Sequence, residues 1–187
     1  MKKIKTLFVA LTISLVYSSC NKPKNLTTAE VYKILNEIIA DNNIQLDVVC
    51  ASVYTLPISG EWSSEFTSKD QTFIKDQQKV FKDFKLESHK LKSFWPRTGK
   101  FKDVVIDETC KSGILDKLSF PIVSADRQKV LLEIGEDCNC MLGGYDEKIL
   151  FIKVKGHWKR SKWYDYSISQ NNSSNQSENR LSKQPKI

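Results

Sequence analysis

Lys129-Val130-Leu131-Leu132-Glu133-Ile134-Gly135-Glu136 is the stretch on which the fold turns. Val130, Leu132 and Ile134 alternate, the two-residue period of a strand with one face in a core. Upstream, Leu118–Ser124 also reads as a strand, joined to the first by the turn-prone Ala125-Asp126-Arg127-Gln128. Downstream, Cys138–Tyr145 is a Gly-rich bend, Ile149–Val154 a further strand, and Lys155-Gly156-His157 a turn into a last strand, Trp158–Ile168. Connections this short join antiparallel neighbours, so the C-terminal third reads as a β-meander.

Two amphipathic helices precede it. Thr27-x-x-Glu30 has the capping-box spacing, and Val31, Ile34, Leu35, Ile38 and Ile39 form one apolar stripe that Asp41-Asn42-Asn43 ends. Ser68-x-x-Gln71 repeats that spacing before a helix expected over Ser68–Phe84, with Phe73, Ile74, Val80, Phe81 and Phe84 on one face. Between the helices, Leu46–Leu56 carries a β-branched run and is expected to be a strand, closed by Pro57 and Gly60. Glu87–Lys117 reads as loop and short strands. The expectation for 27–169 is a single α+β domain, two amphipathic helices packed on an antiparallel meander of about four to six strands.

The two ends differ from the domain. Lys2, Lys3 and Lys5, an uncharged apolar run over Leu7–Tyr17, and Ser18-Ser19 before Cys20 make a signal peptide of residues 1–19. The apolar run is about half the length needed to span a bilayer. Residues 170–187 are polar, with Leu181 and Ile187 their only large apolar side chains, and are expected to be a disordered tail. The net charge of +7 suggests nucleic acid, but its distribution excludes that reading. Between Thr27 and Ser169 lie 21 basic and 21 acidic residues, and the excess sits in the signal, the linker at 20–26 and the tail.

Val16-Tyr17-Ser18-Ser19-Cys20 resembles the lipobox of bacterial lipoproteins, with Tyr17 departing from the usual Leu. The resemblance implies a diacylglycerol on the Cys20 sulfur, and Asn21 after it implies the outer membrane, facing the periplasm or the cell surface. Ser119-Phe120-Pro121-Ile122-Val123-Ser124, then Cys138-Asn139-Cys140 with Gly143-Gly144, then the Gly156-His157-Trp158 hairpin is similar to a pattern of small uncharacterised bacterial lipoproteins. The final Gly-x-Trp hairpin also resembles the cone-shaped nuclear transport factor 2-like domains, an alternative fold. Neither resemblance carries an active site.

Cys50, Cys110, Cys138 and Cys140 remain after lipidation, an even number for an oxidising compartment, with three possible pairings. A Cys138–Cys140 bridge across one residue is strained, so bridges from the bend to Cys50 or Cys110, or one bridge with two thiols left over, are preferred. Cys138-Asn139-Cys140-Met141 places soft donors together, which would suit Cu(I). Glu136, Asp137, Asp146 and Glu147 surround the bend as a conceivable Ca²⁺ set without the EF-hand spacing. No nucleophile elbow is present, the histidines are only His89 and His157, and His157 reads as an exposed turn residue.

No catalytic residue, metal site or cofactor beyond the lipid is therefore expected. Trp158, Trp163, Tyr164 and Tyr166 are candidate ligand contacts, because flat amphipathic rings suit sugars and proteins. The expected function is a non-catalytic, membrane-anchored envelope protein with a protein or glycan partner. The alternative is a small redox or metal-binding protein that uses the Cys138/Cys140 bend.

Overall fold

The computed structural model describes residues 23–138 and 144–169. Among the described residues it is an α+β fold of two α-helices, one short 3₁₀ helix, a mixed seven-stranded sheet and a separate two-stranded hairpin. Helix α1 spans Thr28–Asn42 and is closed by the expected box: Glu30 N–H donates to Thr27 Oγ1 at 3.2 Å, and Thr27 N–H donates to Glu30 Oε2 at 2.8 Å. Its apolar stripe is buried throughout, and Asn43 ends it in the left-handed region with φ 52°.

Strand β1 (Val48–Cys50) follows, then the 3₁₀ turn Glu61–Glu65 and helix α2 (Ser68–Val80). The cap of α2 is one residue earlier than the spacing predicted. Thr67 is the N-cap and Asp70 its partner, with Asp70 Oδ2 accepting from Thr67 N–H at 2.9 Å. A carboxylate at that position also complements the positive end of the helix, an advantage that the neutral Gln71 lacks. The helix ends at Val80 rather than Phe84; Val80, expected on the apolar face, is 58% exposed, while the polar Gln77 is buried.

The region from residue 87 to 117 contains a hairpin, β2 (Lys92–Trp95) with β3 (Lys100–Asp103), then β4 (Val105–Asp107) and β5 (Ile114–Leu118). The strand expected over Leu118–Ser124 is interrupted. Pro121 has no N–H for a ladder, so β5 stops at Leu118 and only Ile122–Val123 resumes as β6. Strands β7 (Lys129–Cys138), β8 (Gly144–Val154) and β9 (His157–Ser169) complete the described residues.

The main path of the sheet is β4-β1-β5-β7-β8-β9, with β6 also on β7. The meander β5, β7, β8, β9 is antiparallel as expected, but β1 pairs in parallel with both β4 and β5. The parallel strands extend the expected meander into a mixed sheet. The long connections through α2 and the hairpin return the chain in the same direction, which a short turn cannot do. The strand expected over Leu46–Leu56 is also shorter; after Cys50 only single bridges occur, at Ser52 with Lys85 and at Tyr54 with Ser119.

The sheet is buried on both faces at its centre. Helix α1 packs Ile34, Leu35 and Ile38 with Leu132, Ile134, Ile149, Phe151 and Trp158 in the larger core. Leu131 and Leu150 point the other way into a smaller core with Leu56, Trp62, Phe66 and Ile74. Helix α2 contributes to both, Phe73 to the first and Ile74 to the second. Among the described residues no helix is long and apolar enough to cross a membrane.

Candidate functional site

Beyond the small core, the same sheet face turns polar. Alternation along β7 that buries Leu132 and Ile134 under α1 sends Glu133 to the opposite side. Glu133 is in register with Lys148 of β8, and Lys148 with Asp165 of β9. Three neighbouring strands thus present acid, base and acid in one row, the cross-strand arrangement that favours ion pairing. Lys148 Nζ lies 3.3 Å from Glu133 Oε2 and 2.7 Å from Asp165 Oδ2. The bond it donates to Asp165 holds the Lys148 ammonium above the usual lysine range, with Glu133 adding to it against burial. Tyr54 reaches over from the connection after β1 and donates its hydroxyl to Glu133 Oε1 at 2.7 Å. Burial, then that contact with Glu133, pushes the phenol above its ordinary range, so it stays a donor.

One row further along, Gly135 faces Asp146. A Cβ on Gly135 would stand 2.0 Å from Asp146 Oδ1 and 2.7 Å from Tyr145 O, so the missing side chain is what lets the carboxylate lean across the strand. Burial, then the charge of Glu133, raises the Asp146 carboxyl above the normal range. Lys117 in β5 pairs with Asp137 at 2.5 Å at the edge of this row.

These rows floor a two-lobed groove. The larger lobe, about 520 Å³, is walled by Tyr54, Leu56, Pro57, Trp62 and Tyr164 over Glu133, Lys148 and Asp165. The smaller, about 240 Å³, lies among Cys50, Ser52, Lys117 and Asp146, and Tyr54 and Glu133 line both. The outer wall is tied down by Glu65, which accepts from Tyr164 Oη at 2.9 Å and from Lys162 Nζ. Those bonds, that from Lys162 foremost, hold the Glu65 carboxyl below its usual range.

Cys50, at the closed end of the groove, is bridged to Cys110 with their Cα atoms 4.8 Å apart. Cys50 stands opposite Asp107 in the β1–β4 ladder, and the chain then doubles back. Asp107 holds that turn, its carboxylate accepting from the N–H groups of Thr109, Cys110, Lys111 and Ser112. Hydrogen bonds from Ser112 and Thr109 keep it far below the carboxylate range. Cys110 itself adopts φ 54°, which turns its sulfur back toward β1. This pairing overturns the bridges expected from the bend to Cys50 or Cys110 and is compatible with the other expectation, a single bridge; parallel pairing of β1 and β4 puts these two cysteines side by side. Cys20 and Cys140, with Asn139 and Met141, lie outside the described residues, and Cys138 ends β7.

The four candidate aromatic contacts are not together. Trp158 is 1% exposed and donates Nε1–H to Glu37 at 3.0 Å, which makes it a core residue beyond a ligand's reach. Register shifts in β9 opposite Lys148/Ile149 and Leu150/Phe151 place Tyr164 on the groove side and Trp163 on the α1 side. Trp163 and Tyr166 are 56% and 66% exposed there, past the end of the α1 cover. The acidic set is split the same way: Glu136 and Glu147 face the α1 side and Asp137 and Asp146 the groove, so the four do not converge. Glu136 instead faces Asp116, whose carboxyl burial and the Asp47 charge push up to about 6 while the Asp47 N–H, 2.6 Å away, opposes them. Both histidines pair with aspartates away from the groove, His89 with Asp103 and His157 with Asp41. His157 is the exposed turn residue expected, with that one addition.

The groove residues Tyr54, Glu133, Lys148 and Asp165 were not singled out from the sequence. The available signal was Glu133, an acid inside an apolar strand whose other neighbours bury both faces. Among the described residues no group of three or more His, Cys, Asp or Glu side chains is placed to hold a metal ion. No family model matches the chain, and neither a curated protein nor a solved structure is significantly similar to it.

Proposed function

We propose that the mature chain is a non-catalytic envelope lipoprotein, anchored through Cys20, that holds a glycan of the cell envelope in the groove of its sheet. The observation that carries the binding role is the groove itself. It combines an aromatic wall, Tyr54 and Tyr164, with a floor of fixed hydrogen-bonding groups, the pattern that recognises sugar rings and their hydroxyls. Its charged groups are engaged with one another, and no hydroxyl or thiol in it has a histidine base beside it, so the arrangement suits holding rather than cleaving. The N-terminal lipobox supports the anchor, and the Cys50–Cys110 bridge suits an oxidising compartment.

A second reading, a redox or metal role for the Cys138/Cys140 bend, draws support from the same bridge. Cys50 and Cys110 are consumed by each other and cannot be the bend's disulfide partners.

Intact mass of the natively purified protein, with and without reduction and alkylation, tests the anchor: acyl chains on Cys20 are expected, and a mass without them would sink it. Cosedimentation with purified peptidoglycan sacculi tests the groove. Tyr54→Ala is expected to reduce the bound fraction and Tyr166→Ala, on the opposite face, to leave it unchanged. Absence of cosedimentation, or loss on Tyr166→Ala alone, would refute the glycan assignment.

A further inference from the structure

Lys24, Asn25 and Leu26 are held against the domain before α1 begins. Leu26 N–H donates to Gln77 Oε1 at 2.8 Å, Gln77 Nε2 donates to Asn25 Oδ1 at 3.0 Å, and Arg127 Nη2 donates to Lys24 O at 2.6 Å. Gln77 is 3% exposed, so a buried amide of α2 meets its hydrogen-bonding needs through this linker. Leu26 is itself part of the large core.

The chain between Cys20 and Lys24 is short. From Cys20 to Lys24 the chain advances at most about 3.5 Å per residue, a reach of about 14 Å. A domain of this size has a radius of gyration of about 15 Å, so its width exceeds the tether. A lipid on Cys20 can enter a bilayer only when the surface beside Lys24 faces it.

That surface has the composition for such a contact. A shallow depression of about 470 Å³ lies between the start of α1 and the end of α2, lined by Leu26, Lys79, Val80, Lys82 and Phe84. Val80 is 58% exposed, and the Lys82 side chain is 75% exposed. Lys79 and Lys82 add to Lys24 of the linker, against Asp83 as the acid of that lining, 3.8 Å from Lys82 Nζ. The opposite end of the molecule is marked by α1: its Asp41 accepts from Trp158 N–H at 2.6 Å, beside the turn at Lys155. Fifteen helical residues put that turn about 22 Å from the linker's entry.

We infer that this end of the domain docks on an anionic lipid leaflet, with Val80 at the headgroup boundary and Lys79 and Lys82 toward the phosphates. The inference rests on the Cys20 anchor proposed above. Each lysine at such a surface strengthens the contact about fivefold.

The test is lysine acetylation footprinting of the natively lipidated full chain, read site by site by mass spectrometry. Vesicles of phosphatidylglycerol and phosphatidylethanolamine are compared with neutral detergent micelles. Acetylation of Lys79 and Lys82 is expected to fall about fivefold or more on the vesicles, with Lys155 unchanged. Lipidated protein whose Lys79 and Lys82 stay fully reactive, or whose Lys155 is protected instead, overturns the orientation while leaving the anchor standing. Equal protection on phosphatidylcholine vesicles overturns the anionic-lipid assignment. A chain without acyl groups in the same spectra overturns anchor and orientation together.

Discussion

Leu132 and Glu133 are neighbours in β7, and the half-turn between them separates the driest part of the molecule from its most charged part. On the α1 side, the strands meet a helix whose apolar stripe matches their own, and the interface closes over Phe151 and Trp158. On the other side, Trp62 and Phe66 join a small core over the row of Leu131 and Leu150 with Ile122 and Ile152, and the rows of Glu133 and beyond line the groove. The difference teaches how one sheet serves two purposes. Burial of apolar area supplies stability on one face, at about 25 cal/mol per Å². On the other, an ordered row of charges gains little net stability, because desolvation offsets the attraction, but it leaves fixed groups lining the groove.

The largest effect is expected on the closed face. Trp158→Ala should destabilise by about 3–5 kcal/mol in urea unfolding, from the cavity and the loss of the Glu37 bond. A shift below about 1 kcal/mol would mean the α1 interface is not the main core. Replacing both members of the bridge, Cys50→Ser with Cys110→Ser, comes next. It releases a constraint spanning 60 residues and should lower stability by about 2–4 kcal/mol, matched by reduction of the natural chain.

On the groove face, Lys148→Met leaves Glu133 and Asp165 facing each other without their cation and should cost about 2 kcal/mol. A double-mutant cycle with Glu133→Gln should recover part of that loss; full additivity would break the idea of one coupled row. The smallest effect concerns Asp116, on the α1 side beyond the helix. Its folded carboxyl is raised to about 6, so the folded state binds the proton more tightly than the unfolded chain. That contribution is present at low pH and fades as pH rises from about 4 through about 6. Asp116→Asn, which retains an acceptor for the Asp47 N–H, should therefore be more stable than the natural chain at pH 8 by about 1 kcal/mol. The full shift is discounted because the group is partly solvated. The advantage should vanish near pH 4, and a difference independent of pH would contradict the assignment.

Local patterns were legible in proportion to how local their causes are. The Thr27 box and the α1 stripe lie within one helix, and both appear as the spacing predicts. Cap choice at Thr67 over Ser68 depended on which side chain could reach back, a matter of one residue that spacing alone leaves open. Burial of the polar Gln77 could not be read from its own helix, because the residues that supply partners for its amide lie far away in sequence. The aromatic cluster of β9 came apart at register shifts, which alternation cannot locate in advance.

By itself the sequence determined the α+β class, the helix α1, the strands of the C-terminal meander and the near neutrality of the domain between charged ends. These follow from periodicity and composition, which act over a few residues. Tertiary structure alone decided the parallel place of β1, the Cys50–Cys110 bridge and the row of Glu133, Lys148 and Asp165. Each requires residues distant in the chain to meet in one register. That register is chosen by the packing of all the strands together, which no single segment encodes.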